Sequence, residues 1–197
     1  MTDRAGLREQ GTLDLRRIAV VGTTGSGKTT LDRWLGRALE VTHVELDALN
    51  WEPNWKTAPT EVFRRRVADA LDGEAWVSDG NYTAVRDIVW DRATTLVWLD
   101  YSLWRILWRL TRRTVRRVFT REELWHGNKE GLRTALFSRD SLFLWALKTH
   151  WSRRKRYAKL IAQGEYTNLT VVRHRSPRNT DKWLAGMDLS DGSRDTD

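Results

Sequence analysis

The sequence predicts an α/β fold built on a five-stranded parallel sheet with helices on both faces. Two observations predict it. Short apolar runs alternate along the chain with stretches of helical period, the pattern of successive βαβ units. The first of these runs leads directly into a glycine-rich turn and then a helix. The 197 residues, 40% of them hydrophobic, suffice for one ordinary core.

Residues 1–14 are polar and are expected to be a flexible N-terminus. Residues 17–21 form the first strand and 29–39 the first helix. Residues 41–46 are the second strand. Pro59 sits in the first turn of a helix reaching Leu71, with Phe63, Val67 and Leu71 on one face and Gly73 past its end. Residues 75–78 and Thr95–Leu99 are the third and fourth strands, and 169–173 the last. Helices are expected over 103–119, 138–162 and 180–185. Residues 120–137 show no clear period and are expected to be a flap. One domain thus spans 15–185, with 105–139 as its basic helical lid region. The acidic tail 186–197 (GMDLSDGSRDTD) is expected to be disordered.

The glycine-rich turn, residues 22–29, reads GTTGSGKT and matches G-x-x-x-x-G-K-[ST] without mismatch, between a strand and a helix as the pattern requires. Gly22, Gly25 and Gly27 let the backbone turn tightly, so that its N–H groups approach phosphate oxygens. The following helix points its positive end at the same anion. Lys28 adds a charge for the β/γ phosphates, and Thr29 offers a hydroxyl to Mg²⁺. Ser26 and Thr30 complete the nucleotide-binding set. This is a P-loop of the NTPase fold, with ATP and Mg²⁺ expected. The guanine-reading N-K-x-D pattern is broken at residues 128–131 (NKEG), no L-S-G-G-Q transporter pattern occurs, and the chain is short for a motor. A small kinase is the reading that remains.

The chain has no Cys, which excludes disulfides and thiolate metal sites. His43 and His126 are not read as ligands, and no His/Cys/Asp cluster for zinc is visible. The longest plain apolar run, residues 142–147, is too short to span a bilayer, and no export signal is seen, so a cytoplasmic protein is expected. The net charge of +8 is uneven: residues 101–160 hold 16 Lys/Arg against 4 Asp/Glu, so the rest carries 18 basic and 22 acidic residues. A basic segment in a near-neutral body implies an anionic partner. Nucleotide phosphates are preferred. A nucleic-acid partner is the alternative that stays open and is not favoured, and a membrane-surface role for 103–119 ranks below it.

Taken with GTTGSGKTT, the segments HVELDALNW, VSDGNYTAVRD, TLVWLDYSLWRILWRLTRR, REELWHGN, SRDS and RHRSPR resemble the adenylate-kinase-like P-loop kinases. They are most similar to the small bacterial proteins labelled "topology modulation protein". The resemblance covers roughly residues 17–184. It implies that Asp79, of the Asp79-Gly80 pair, holds Mg²⁺ through water. It implies that Arg109 and Arg113, nine and thirteen residues past Asp100, meet the ATP phosphates. Four residues apart on a helix, both leave from one face, in a stripe with Arg105, Arg112 and Arg116. A guanidinium pair neutralises charge on a phosphoryl group in flight. Arg139 and one of Arg153, Arg154 or Arg156 are the implied acceptor-side arginines, and Arg175 and Pro177 fall where the family places the loop beside adenine. Two acceptor arginines of adenylate kinases are missing: Asn-Tyr-Thr follows the Asp-Gly pair, leaving Tyr82 and Arg86 nearby, and none follows the second strand.

Residues 44–55, VELDALNWEPNW, carry the acceptor reading. Alternation puts Glu45 and Asp47 on one side of the second strand. Strand C-terminal ends open onto the ligand crevice in this architecture. An Asp there orients a hydroxyl for attack or takes its proton, as the resemblance to shikimate kinases also implies. Asp47 with Trp51 and Trp55 suits an uncharged or ring-bearing group better than an AMP phosphate. The expected activity is ATP-dependent phosphoryl transfer to an unidentified small molecule, with Lys28, Asp47, Arg109 and Arg113 catalytic.

Overall fold

The computed structural model describes residues 13–120 and 142–187. Strand β1 (Arg17–Gly22) leads through the glycine-rich turn into helix α1 (Lys28–Ala38). Strand β2 (Thr42–Glu45), helix α2 (Leu46–Asn50) and a short hairpin, β3 (Trp51–Glu52) with β4 (Lys56–Thr57), follow. Then come α3 (Thr60–Ala70), β5 (Trp76–Asp79), α4 (Arg86–Arg92) and β6 (Thr95–Leu99). Helices α5 (Leu103–Thr120) and α6 (Leu142–Gln163), strand β7 (Thr170–His174) and helix α7 (Pro177–Ala185) complete the described chain.

The expected five-stranded parallel sheet forms in the order β2-β5-β1-β6-β7. Strand β1 is central and apolar from Ile18 to Val21, because a parallel strand covered on both faces has no wet side. Ile18 and Val20 point into one core with Leu31, Leu35, Leu99, Ile106 and Leu110. Ala19 and Val21 point into the other, with Phe63, Val67, Val85, Trp90 and Trp98. Each fully buried aliphatic side chain contributes about 1.5–3 kcal/mol. Among the described residues no helix is long and apolar enough to cross a membrane.

Three departures from expectation have physical causes. The second strand stops at Glu45 rather than Leu46. Leu46 is buried against Gly80, where an added Cβ would lie 2.6 Å from Leu46 Cδ1, and that packing draws the chain off the sheet into α2. Asp47 therefore sits in the first turn of a helix, not on the strand with Glu45. The residues after it close a hairpin through a turn in which Asn54 and Trp55 adopt positive φ, at 61° and 57°. The last helix starts at Pro177, not Thr180: Ser176 Oγ caps it by accepting from the Asn179 N–H at 3.3 Å, and proline lacks the N–H that a first turn leaves unused. The expected flap and the acidic tail fall mostly outside the described residues.

Two buried polar links tie the outer helices to the sheet. Asp100, just past β6, accepts from Arg173 Nη2 of β7 at 2.6 Å and pairs with Arg154 Nε of α6 at 3.1 Å. Thr23, at the start of the glycine-rich turn, meets His150 Nδ1 of α6 at 3.2 Å.

Candidate active site

The C-terminal ends of β1, β2 and β5 open into one cleft of about 1490 Å³, walled by α5 and α6. At one end lies the glycine-rich turn. Gly25 and Gly27 hold φ of +84° and +96°, in the left-handed region that favours glycine. A Cβ on Gly27 would come within 2.8 Å of Arg109 Nη2, so this guanidinium lies directly over the turn. Asn81, in the loop after β5, clips the turn's entrance: its Nδ2 donates to Gly22 O at 2.6 Å, and its Oδ1 accepts from the Gly22 N–H at 3.2 Å and the Tyr157 hydroxyl at 2.9 Å.

Lys28 is deeply buried, and that burial lowers its ammonium against the pull of Asp79 and Asp47, the carboxylates facing it. Arg113 and Arg153 add to the positive field there. The Thr29 hydroxyl donates to Asp79 Oδ2 at 2.5 Å. Burial raises the Asp79 carboxyl, while Lys28 and Thr29 oppose the rise. A hydroxyl and a carboxylate in contact, facing a cleft, are the hard oxygen donors that Mg²⁺ requires, so the residues fit that ion.

At the other end, Asp47 Oδ1 accepts from the Tyr82 hydroxyl at 2.5 Å. Burial, then the Asp47 charge, raises the Tyr82 phenol, which stays a donor. Tyr82 stacks edge-on against Phe63 at 5.0 Å and lies 3.4 Å from Asn50 Nδ2, so its position is fixed by packing. Trp51 and Trp55 meet edge-to-face at 5.5 Å and line the same end. Arg86, Arg153 and Arg156 also line the cleft, as does Tyr157. Burial lowers Arg153, so this guanidinium sits in a site that disfavours bare charge.

The structure brings together Gly25, Gly27, Lys28, Thr29, Thr30, Asp47, Trp51, Asp79, Tyr82, Arg86, Arg109 and Arg113 on this cleft. Gly22 and Ser26 shape the turn from behind: Ser26 is buried, and a Cβ on Gly22 would strike its Oγ at 2.7 Å. The arginine stripe divides. Arg109 and Arg113 face the cleft, whereas Arg105 reaches the Arg175 carbonyl at 3.4 Å and Arg112 lies over the Trp108 ring at 5.8 Å. The three acceptor-side candidates separate likewise: Arg153 and Arg156 line the cleft, and Arg154 is spent on Asp100. Arg175 and Pro177 lie at the start of α7 and are not among the cleft's lining residues. Arg139 lies outside the described residues. Sequence alone does not mark Asn81, Tyr157 or Lys148, since only the fold brings β5's loop and α6 to the phosphate turn.

One cluster contradicts the expectation that no His/Asp grouping exists. Asp32 on α1, His43 on β2 and Asp79 on β5 converge beneath the phosphate turn. Asp32 Oδ2 lies 2.7 Å from His43 Nε2. Burial raises the Asp32 carboxyl to about 7, against its hydrogen bond with His43. That same hydrogen bond raises His43.

No family model matches the chain, and no curated protein matches it. Among solved structures, a shikimate kinase from Bacteroides thetaiotaomicron matches with a TM-score of 0.53 and 16% identity, over 86% of this chain and 98% of that one. A gluconokinase from Sinorhizobium meliloti 1021 gives 0.48 and 17%, over 84% and 86%. A sugar kinase from Janibacter sp. HTCC2649 gives 0.47 and 18%, over 90% and 96%. The first of these establishes a likeness of fold.

Proposed function

We propose that the chain is an ATP-dependent phosphotransferase whose acceptor is a small molecule bearing both a hydroxyl and an anionic group. The observation that carries this reading is the placement of Asp47 and Lys28 in one cleft, with Asp47 held by Tyr82 and three arginines ranged beyond it. The turn's N–H groups, Lys28, Arg109 and Arg113 bind and neutralise the triphosphate. Thr29 and Asp79 would hold Mg²⁺, which supplies charge neutralisation at the β/γ oxygens when bound. Asp47 accepts a hydrogen bond from the acceptor hydroxyl, aims its oxygen at the γ-phosphorus and takes the proton as the bond forms. ADP leaves, keeping the β–γ bridging oxygen, as the bond from that oxygen to the γ-phosphorus breaks.

The arginines amend the acceptor expected from the residues alone. Arg86, Arg153 and Arg156 line the same cleft as Asp47, with Arg156 reaching Thr83 beside Tyr82 at 3.3 Å, which favours a carboxylate or phosphate on the acceptor over an uncharged ring. Trp51 and Trp55 supply an apolar wall for its carbon frame. The likeness of fold to a shikimate kinase agrees with a hydroxylated anion but does not choose among such molecules.

The test is an ATP-consumption screen over nucleosides, nucleoside monophosphates, hydroxy acids and sugar phosphates, with Asp47→Asn as control. Turnover dependent on one acceptor class and lost in the variant supports the reading. Turnover that Asp47→Asn leaves unchanged overturns the role of Asp47, and no turnover with any acceptor despite tight ATP binding overturns the enzyme.

A further inference from the structure

Asp32 lies one helical turn beyond Lys28 and is fully buried. Neither of its carboxylate oxygens has a well-aligned hydrogen bond among the described residues. Its Oδ2 meets His43 Nε2 at 2.7 Å. One ligand atom from each of Asp32, His43 and Asp79 lies within 4.8 Å of the other two. Nothing in the phosphoryl-transfer chemistry uses Asp32 or His43.

A carboxylate taken out of water is costly unless its charge and its lone pairs are both met. Lys28 and Thr29 serve Asp79 from the cleft side. On the α1 side, His43 meets only one oxygen of Asp32, and Glu45, on the same face of β2 as His43, deepens the negative field around both. A divalent cation would supply the missing charge and a partner for Oδ1. The imidazole decides its class: Mg²⁺ and Ca²⁺ take oxygen donors, whereas an imidazole nitrogen suits Zn²⁺ and its first-row neighbours, for which Co²⁺ and the more oxygen-seeking Mn²⁺ serve as spectroscopic probes. The His43 side chain is 25% exposed while its Nε2 is buried beside Asp32, so an ion must enter past the imidazole.

We propose that Asp32, His43 and Asp79 form a transition-metal site behind the phosphate site, separate from the Thr29–Asp79 pair but sharing Asp79 with it. An ion bound there draws Asp79 away from Thr29, so its occupancy opposes nucleotide turnover. That consequence rests on the phosphotransferase reading; the binding itself does not.

The test uses the full chain without nucleotide. Mn²⁺ and Co²⁺ are titrated in, with stoichiometry from equilibrium dialysis, nitrogen ligation from pulsed electron paramagnetic resonance of Mn²⁺, and visible absorption of Co²⁺. The expected result is one ion per chain with imidazole nitrogen coupling. His43→Ala and Asp32→Asn should each weaken binding at least ~10-fold, with the coupling lost in the former. Thr29→Val should keep the coupling and bind the ion at least as tightly, because it frees Asp79 from the Thr29 hydroxyl. Binding without nitrogen coupling that survives His43→Ala and fails in Thr29→Val overturns the site, because the cleft-side pair then holds the only ion. No binding at millimolar metal also overturns it. So does a His43→Ala chain that melts lower yet binds metal as before, since the Asp32–His43 contact is then structural alone. Should His43→Ala not fold, His43→Gln is read by the same criteria. If the metal binds as expected and Zn²⁺ inhibits the parent but not His43→Ala, the link to turnover holds. If metal binds but no acceptor is ever phosphorylated, only the functional reading falls.

Discussion

The Tyr82 hydroxyl donates to Asp47 Oδ1 at 2.5 Å, so the proposed base is held by a side chain fixed against Phe63. The acceptor hydroxyl has to share or displace this bond. Asp47→Asn should cut acceptor-dependent turnover by roughly 10²–10⁴-fold, the range of general-base catalysis. Tyr82→Phe should lose about 1 kcal/mol of positioning, roughly fivefold in rate. Steady-state kinetics on the best acceptor from the screen checks both. Nucleotide affinity, read by a fluorescent ATP analogue, should stay unchanged in each.

Lys28 lies at the other end of the same cleft, its ammonium lowered by burial and faced by Asp79 and Asp47. Lys28→Met should leave the circular-dichroism spectrum intact and reduce ATP turnover by at least ~10³-fold, about 4 kcal/mol of transition-state stabilisation. Parent-like turnover in the variant would remove the P-loop from the mechanism.

The Asp100 cluster should prove structural. Its carboxylate is 2% exposed and joins β7 to α6 through Arg173 and Arg154. Asp100→Ala leaves the Arg173 and Arg154 guanidinia, 33% and 35% exposed, without their shared carboxylate. The expected cost is about 3 kcal/mol, which at roughly 2–4 °C per kcal/mol lowers the melting temperature by about 6–12 °C. Arg154→Ala should cost less, because that side chain is 35% exposed. Differential scanning calorimetry separates the two.

The Asp32–His43 pair should make stability fall as pH rises from about 3.8 into the weakly alkaline range. Burial raises the Asp32 carboxyl from 3.8 to about 7, so its ionisation costs stability progressively across that interval. His43 is raised above 6.5 by its bond to Asp32. The stability it lends is complete below 6.5 and is lost as pH climbs through the raised value. His43→Gln removes the second contribution. Melting curves between about pH 6.5 and 8.5 should then show a shallower decline than the parent, and an identical slope would show that His43 does not titrate there.

Residues that act as a contiguous unit were legible before any fold was known. The phosphate turn is one, because N–H groups, lysine and threonine must converge on one anion within a single turn. Arg109 and Arg113 rested on the resemblance, as the residues nine and thirteen past Asp100; helical spacing alone does not separate them from Arg105 and Arg112, which turn to the Arg175 carbonyl and the Trp108 ring. Arg153 and Arg154 were not separable: neighbours in sequence point about 100° apart on a helix, and the choice fell to Asp100, more than fifty positions away. The strand-like alternation around Asp47 misled because Leu46 is captured by Gly80, a contact made across the sheet. Asp32, His43 and Asp79 belong to three elements, and no spacing rule joins them.

The register of β1 constrains synthesis itself. Arg17 pairs with Trp76 and Ile18 with Thr95, so the central strand has no sheet partner until the chain has grown by about sixty residues, and its second comes later still. Through that interval the apolar run from Ile18 to Val21 is a bare strand with two open edges. The nascent chain thus carries an unpaired β1 edge until Leu99 has left the ribosome, and β6 in turn keeps an open edge until Thr170–His174 is made.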